Sequence, residues 1–191
     1  MTMPSDLIQL SACEILSLLQ REEITPLDLL DALEQRVSQV DGKVNALPTL
    51  CFDRARDHAR RLLRQPVGER GPLCGLPVPI KDLTAVSGVR CTQGSLVYAD
   101  HVPEASSPLV RRLETRGAIV YAKSNTPEFG AGAHTFNEVL GTTLNPYDLG
   151  KSAGGSSGGA AAALATGCAW VAHGSDMAGS LRTPAAFCGV V

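Results

Sequence analysis

The chain has 191 residues, 44% of them hydrophobic, with nineteen acidic against seventeen basic side chains. That length suffices for one domain with a sizeable core. A charge so near neutral argues against a nucleic-acid field and against attachment to an anionic membrane. The first residues, Met1 to Leu10, carry neither a basic stretch nor a long apolar run. They predict no signal peptide and no membrane span, hence a cytosolic chain. The six cysteines (Cys13, Cys51, Cys74, Cys91, Cys168, Cys188) form no C-x-x-C pair and are expected as free thiols. The four histidines are scattered, which predicts no metal site.

Residues 1–65 read as a helical segment. Ser11-Ala-Cys-Glu14 is a capping box, and Ile15, Leu18 and Leu19 follow as one apolar face. Thr25-Pro26 opens a second helix, whose stripe is Leu29, Leu33 and Val37. Phe52, Ala55, Ala59, Leu62 and Leu63 mark a third. Its arginines (Arg54, Arg56, Arg60, Arg61, Arg64) alternate with Asp53 and Asp57, which predicts a solvated face rather than an anion site. A turn-rich linker, Gln65 to Pro72, separates this segment from a second unit, 66–191. There the period changes. Leu76–Lys81, Ala118–Ala122 and Ala169–Ala172 are predicted strands. Helices are predicted from Ser107-Pro108 to Arg116, stopped by Gly117, and from Ser157 to Thr166, stopped by Gly167. The alternation predicts an α/β core with helices over the sheet.

Three segments carry chemistry. Gly75-Leu-Pro-Val-Pro-Ile-Lys81-Asp82 ends an apolar strand on a lysine. Ser152-Ala-Gly-Gly-Ser156-Ser157-Gly-Gly159 places serines in a glycine-rich turn that enters a helix. A phosphate loop fails there on spacing, because Asn145 stands where glycine is needed. Gly174-Ser-Asp176-Met-Ala-Gly179-Ser180-Leu-Arg182 places a serine after small residues, where a carbonyl can approach the backbone and successive N–H groups can meet an oxyanion. A serine nucleophile needs a base within hydrogen-bond reach. No histidine lies in a suitable motif, and His173 is expected to be structural. Lys81 is the alternative, provided burial depresses its pKa from about 10.4.

In wording, order and separation these segments resemble the amidase signature family of serine hydrolases. The resemblance implies an α/β/α sandwich around a mixed twisted sheet, truncated here and preceded by the helical leader. It implies that Lys81 is the base, Ser156 a bridging serine after a cis peptide bond, and Ser180 the acyl-forming nucleophile. It assigns the oxyanion hole to backbone N–H groups of Met177, Ala178, Gly179 and Ser180. Asn125-Thr-Pro-Glu-Phe-Gly130 resembles a segment lining the acyl pocket, with Asn125 and Gly130 as its substrate-binding positions. Ser157 and Asp176 are implied to orient the network, and Arg182 to brace the loop. Many members have a second glycine where this chain has Ala178.

The implied activity is hydrolysis of a carboxamide to carboxylate and ammonia or amine, with no cofactor and no metal. The implied partner is a small-molecule amide, with a homo-oligomer left open. The first alternative is the A subunit of a glutamyl-tRNA amidotransferase, the one reading that brings in a nucleic acid. Residues Asn125–Phe129 look more like stand-alone amidases than like that subunit. The second alternative is an inactive truncated fragment. The chain stops at Phe187–Val191 inside an apolar run, whereas family members are usually more than twice as long. Alone, it is expected to aggregate and to turn over little or no amide.

Overall fold

The structure is a computed structural model that describes residues 7–191. The expectations for Met1–Asp6 lie outside the described residues. Helix α1 (Ala12–Gln20) begins at a complete capping box: the Glu14 N–H donates to the Ser11 hydroxyl, and the Ser11 N–H donates to the Glu14 carboxylate at 2.7 Å. Helix α2 (Pro26–Val44) repeats the device with Thr25 and Asp28. Its Leu29, Leu30 and Leu33 are wholly buried, worth about 1.5–3 kcal/mol each relative to exposure. Helix α2 ends on Asn45 in the left-handed region. After strand β1 (Thr49–Leu50) comes helix α3 (Phe52–Leu63). Three of its arginines are ion-paired: Arg54 with Glu114, Arg56 with Asp31 and Glu34, Arg60 with Asp57.

Strand β2 (Pro77–Lys81), helix α4 (Pro108–Thr115) and strand β3 (Ile119–Ser124) form the α/β centre. The sheet order is β1-β3-β2, antiparallel between β1 and β3 and parallel between β2 and β3, so the sheet is mixed. Central β3 is buried throughout. Ile119 and Tyr121 pack with residues of α2, α3 and helix α5 (Gly158–Ala165). Ala118 and Val120 pack with Val78, Ile80 and Val110 of α4. The alternation is the period of two expected of a strand covered on both faces. The first of these cores runs across the division at residue 65, joining Leu30 and Leu62 to Ala161 and Ala162.

Two short antiparallel hairpins lie between β3 and α5: β4 (Phe136–Asn137) with β5 (Gly141–Thr142), and β6 (Leu144–Asn145) with β7 (Asp148–Ser152). Helix α6 (Arg182–Cys188) follows the last loop and stops at Gly189 in the left-handed region. The predicted strand at Ala169–Ala172 is absent. Its neighbour would be the open edge of β2, which carries Pro77 and Pro79 and so lacks N–H groups for a ladder. One backbone bond crosses there, from the His173 N–H to the Pro79 carbonyl at 3.1 Å. No helix among the described residues is long and apolar enough to cross a membrane, and the six cysteines are unpaired.

Candidate active site

Lys81 is the last residue of β2, and its side chain is wholly buried. Ile80 packs under α4, so the alternation of the strand turns Lys81 to the opposite side. There it meets the turn that leads into α5. Its Nζ lies 2.7 Å from Ser156 Oγ, 2.9 Å from Ser157 Oγ and 3.2 Å from Ser175 Oγ. Three hydroxyls thus surround an amine that has no ion-pair partner among the described residues. Burial pushes its pKa down to about 8, against a smaller upward pull from Asp176. A desolvated amine facing hydroxyls favours the neutral form that can accept a proton.

The turn is shaped around this contact. The Gly155–Ser156 peptide is cis. Thr135 clamps both sides of the turn: its hydroxyl donates to the Gly154 carbonyl at 2.8 Å and accepts from the Gly158 N–H at 3.0 Å. Ser157 occupies the N-cap of α5 but makes no side-chain cap. Its hydroxyl instead accepts from Lys81 and donates to the Ser175 carbonyl at 3.2 Å. Helix α5 can approach because position 159 is glycine; a Cβ there would stand 2.7 Å from the Ala46 carbonyl and collide with the Asn125 backbone.

The third segment forms a loop around Asp176. That carboxylate accepts from the N–H groups of Gly179 at 2.7 Å and Leu181 at 3.0 Å, and from the Arg182 guanidinium at 3.0 Å through both Nε and Nη2. These donors, the Arg182 side chain first, hold its pKa well below the usual carboxylate range. Gly179 has φ +107°, a conformation that suits glycine. Its N–H is committed to Asp176 and is therefore not free for an oxyanion. The N–H groups of Met177, Ala178 and Ser180 have no acceptor among the described residues.

Ser156, Ser175, Met177, Ala178 and Ser180 line one cleft of about 520 Å³, with Leu83 and Phe129 to Ala133 among the residues of its wall. The structure thus brings Lys81, Ser156, Ser157, Asp176, Ser180 and Gly130 to one place. Ser180 Oγ makes no hydrogen bond to Ser156 among the described residues. Asn125 stands apart from the cleft. It is wholly buried and saturated, donating to Gly141 and Thr143 and accepting from Thr126 and Asn137, so it serves as a hub for the β4–β5 hairpin. His173 faces the backbone of Lys81 rather than its amine: its Nδ1 accepts from the Lys81 N–H at 3.3 Å. Ser175, the third hydroxyl on the lysine, is a residue the sequence reading passed over. No group of three or more His, Cys, Asp or Glu among the described residues is placed to hold a metal ion.

The family described as Amidase matches residues 28–191. The chain is 44% identical over 188 residues to the A subunit of the glutamyl-tRNA(Gln) amidotransferase of Moorella thermoacetica, covering 97% of this chain and 39% of that protein. It is 45% identical over 186 residues to an acylamidase of Rhodococcus erythropolis, covering 95% and 39%. Among solved structures, substrate-complexed 6-aminohexanoate cyclic dimer hydrolase matches with a TM-score of 0.87 at 33% identity, over 95% of this chain and 37% of that one. A bacterial aryl acylamidase of the amidase signature enzymes matches with a TM-score of 0.85 at 34% identity, over 93% and 37%. The chain therefore spans about two fifths of the length of these curated relatives. A match over this much of its own length settles the kinship: the chain belongs to the amidase signature family.

Proposed function

We propose that the protein hydrolyses a carboxamide through an acyl-enzyme on Ser180, with Ser156 and Lys81 as its proton relay. The observation that carries this reading is the buried Lys81 amine 2.7 Å from Ser156 Oγ, beside the cleft that Ser180 also lines. Ser180 Oγ attacks the amide carbonyl carbon. Its proton passes to Ser156 Oγ, whose own proton passes to the neutral Lys81 amine. The carbonyl π pair moves to oxygen, where free N–H groups at Met177, Ala178 and Ser180 are the available donors. As the tetrahedral centre collapses and the C–N bond breaks, the relay runs backward and protonates the departing nitrogen. Water then attacks the ester, assisted by the same relay, and releases the carboxylate. Ser157 and Ser175 keep the lysine aimed, and the Asp176–Arg182 pair fixes the donor loop.

The six unpaired thiols support a cytosolic setting. The test of the mechanism is labelling by a fluorophosphonate, with the modified residue located by peptide mass mapping. Modification at Ser180 supports the reading; modification at another serine overturns it. The 44% identity to an amidotransferase A subunit favours a second reading, in which the same chemistry releases ammonia within a complex. Glutamine hydrolysis that depends on aminoacyl-tRNA would establish that reading over a stand-alone amidase.

A further inference from the structure

Directly after Lys81 stands a buried ionic group that the proposed relay does not use. Asp82 and Lys123 are both wholly buried, and Asp82 Oδ1 meets Lys123 Nζ at 2.9 Å. The second carboxylate oxygen accepts from the Thr92 hydroxyl at 2.6 Å and from the Thr92 N–H at 3.0 Å. The backbone of Asp82 is held as well. Its N–H donates to the Ser124 carbonyl at 3.0 Å, and its carbonyl accepts from the Gln93 N–H at 3.1 Å. The Gln93 carbonyl in turn accepts from the Phe129 N–H at 2.7 Å. Phe129 and Gly130 belong to the wall of the cleft, and so does Leu83, the next residue after Asp82. One residue thus ties together the end of β2, the neighbouring β3, the turn at Thr92–Gly94 and the far wall of the site.

Stability alone is a poor reason for such a pair. Exchanging a buried ion pair for neutral residues of similar volume is often neutral or stabilising, whereas removing one partner strands a buried charge. Position is the better reason, because catalytic geometry tolerates less error than packing does.

We propose that Lys123 is a positioning residue of the reaction: by pinning the Asp82 carboxylate it fixes the end of β2 that aims Lys81 at Ser156, and with it the Phe129–Gly130 wall. This rests on the amidase reading above. The other charged or titratable groups around Lys81 are Asp176 from the donor loop, with Arg182 bound to it, and His173 from the segment after α5. Cys91 adjoins the pair, with its Sγ 3.6 Å from the Asp82 carbonyl.

The test compares Lys123→Met, Asp82→Asn with Lys123→Met, and Thr92→Val against the unaltered protein. Lys151→Met, at an exposed pair with Asp148, is the control. Thermal midpoint, fluorophosphonate labelling rate, amide turnover, KM and the pH midpoint of activity are read for each. Lys123→Met is expected to lower both stability and turnover, the latter roughly 10²-fold. The double variant should recover the thermal midpoint yet stay at least about tenfold slow, with KM nearly unchanged and a displaced pH midpoint. Thr92→Val removes one anchor of the carboxylate and leaves both charges, so it should fold and slow turnover by a smaller factor. A folded double variant at the original rate would overturn the proposal. If that variant does not fold, Thr92→Val at the original rate and pH midpoint would overturn it equally. All variants are compared in a protein of the full length of the relatives, and an unaltered protein of that length that neither labels nor hydrolyses would instead overturn the amidase reading.

Discussion

Raising the pH from 6 to 9 should switch the lysine on. Burial pushes the Lys81 pKa from an ordinary 10.5 to about 8. At pH 7 about one amine in ten is then neutral, against about one in three thousand at the ordinary value, so the fold enlarges the working population roughly 300-fold. The labelling rate of Ser180 should climb about tenfold per pH unit below 8 and level off above it. In Lys81→Met that limb should vanish along with most of the rate. The same group should appear in stability. Between about 8 and 10.5 the unfolded chain holds the proton that the folded chain has released, so stability rises with pH across that window. Cys51 and Cys188 act the other way above about 9, because burial raises both thiols to about 11 and the unfolded chain ionises first. The difference between the unaltered protein and Lys81→Met isolates the lysine. The variant should unfold at the higher temperature below pH 8 and lose that advantage towards pH 10.5. A labelling rate independent of pH from 6 to 9, or a limb that survives in Lys81→Met, would refute the assignment.

Ser180→Ala should abolish labelling while leaving the circular dichroism unchanged. Ser156→Ala should retain Ser180 but slow its acylation about 10²–10⁴-fold, measured as the rate of probe capture, because the proton then has no bridge to the amine. Gly179→Ala places a Cβ 3.0 Å from Thr183 Oγ1 at a φ of +107°; labelling should fall roughly 10²-fold with little change in helix content. Gly159→Ala drives α5 off the end of β3 and should cost about 1–3 kcal/mol in urea unfolding, with activity falling alongside.

Local signals carried much of the fold. The capping boxes at Ser11 and Thr25, the stripe of α2, and the stops at Gly117 and Gly167 each depend on neighbours a few residues apart, and all stand in the structure. The strand at Ala169–Ala172 did not, because apolar character says nothing about whether an adjacent edge can donate. The prolines of β2 held that information, a long way off in sequence. Helix α6 was missed although Pro184 in its first turn and Gly189 after it are start and stop signals. The candidate site residues were picked out mainly through the resemblance. Which hydroxyls reach Lys81 is a tertiary fact, so Ser175 escaped notice. The saturation of Asn125 and the commitment of the Gly179 N–H to Asp176 are equally invisible before the chain closes.

The two buried amines give this chain a chemical signature. It has four lysines, Lys43, Lys81, Lys123 and Lys151, and only Lys43 and Lys151 face water. An acylating amine reagent applied to the native protein should therefore decorate these two side chains and spare the other two until the fold opens. Acetylation at Lys81 or Lys123, read by mass spectrometry without any substrate, would then mark molecules that had unfolded.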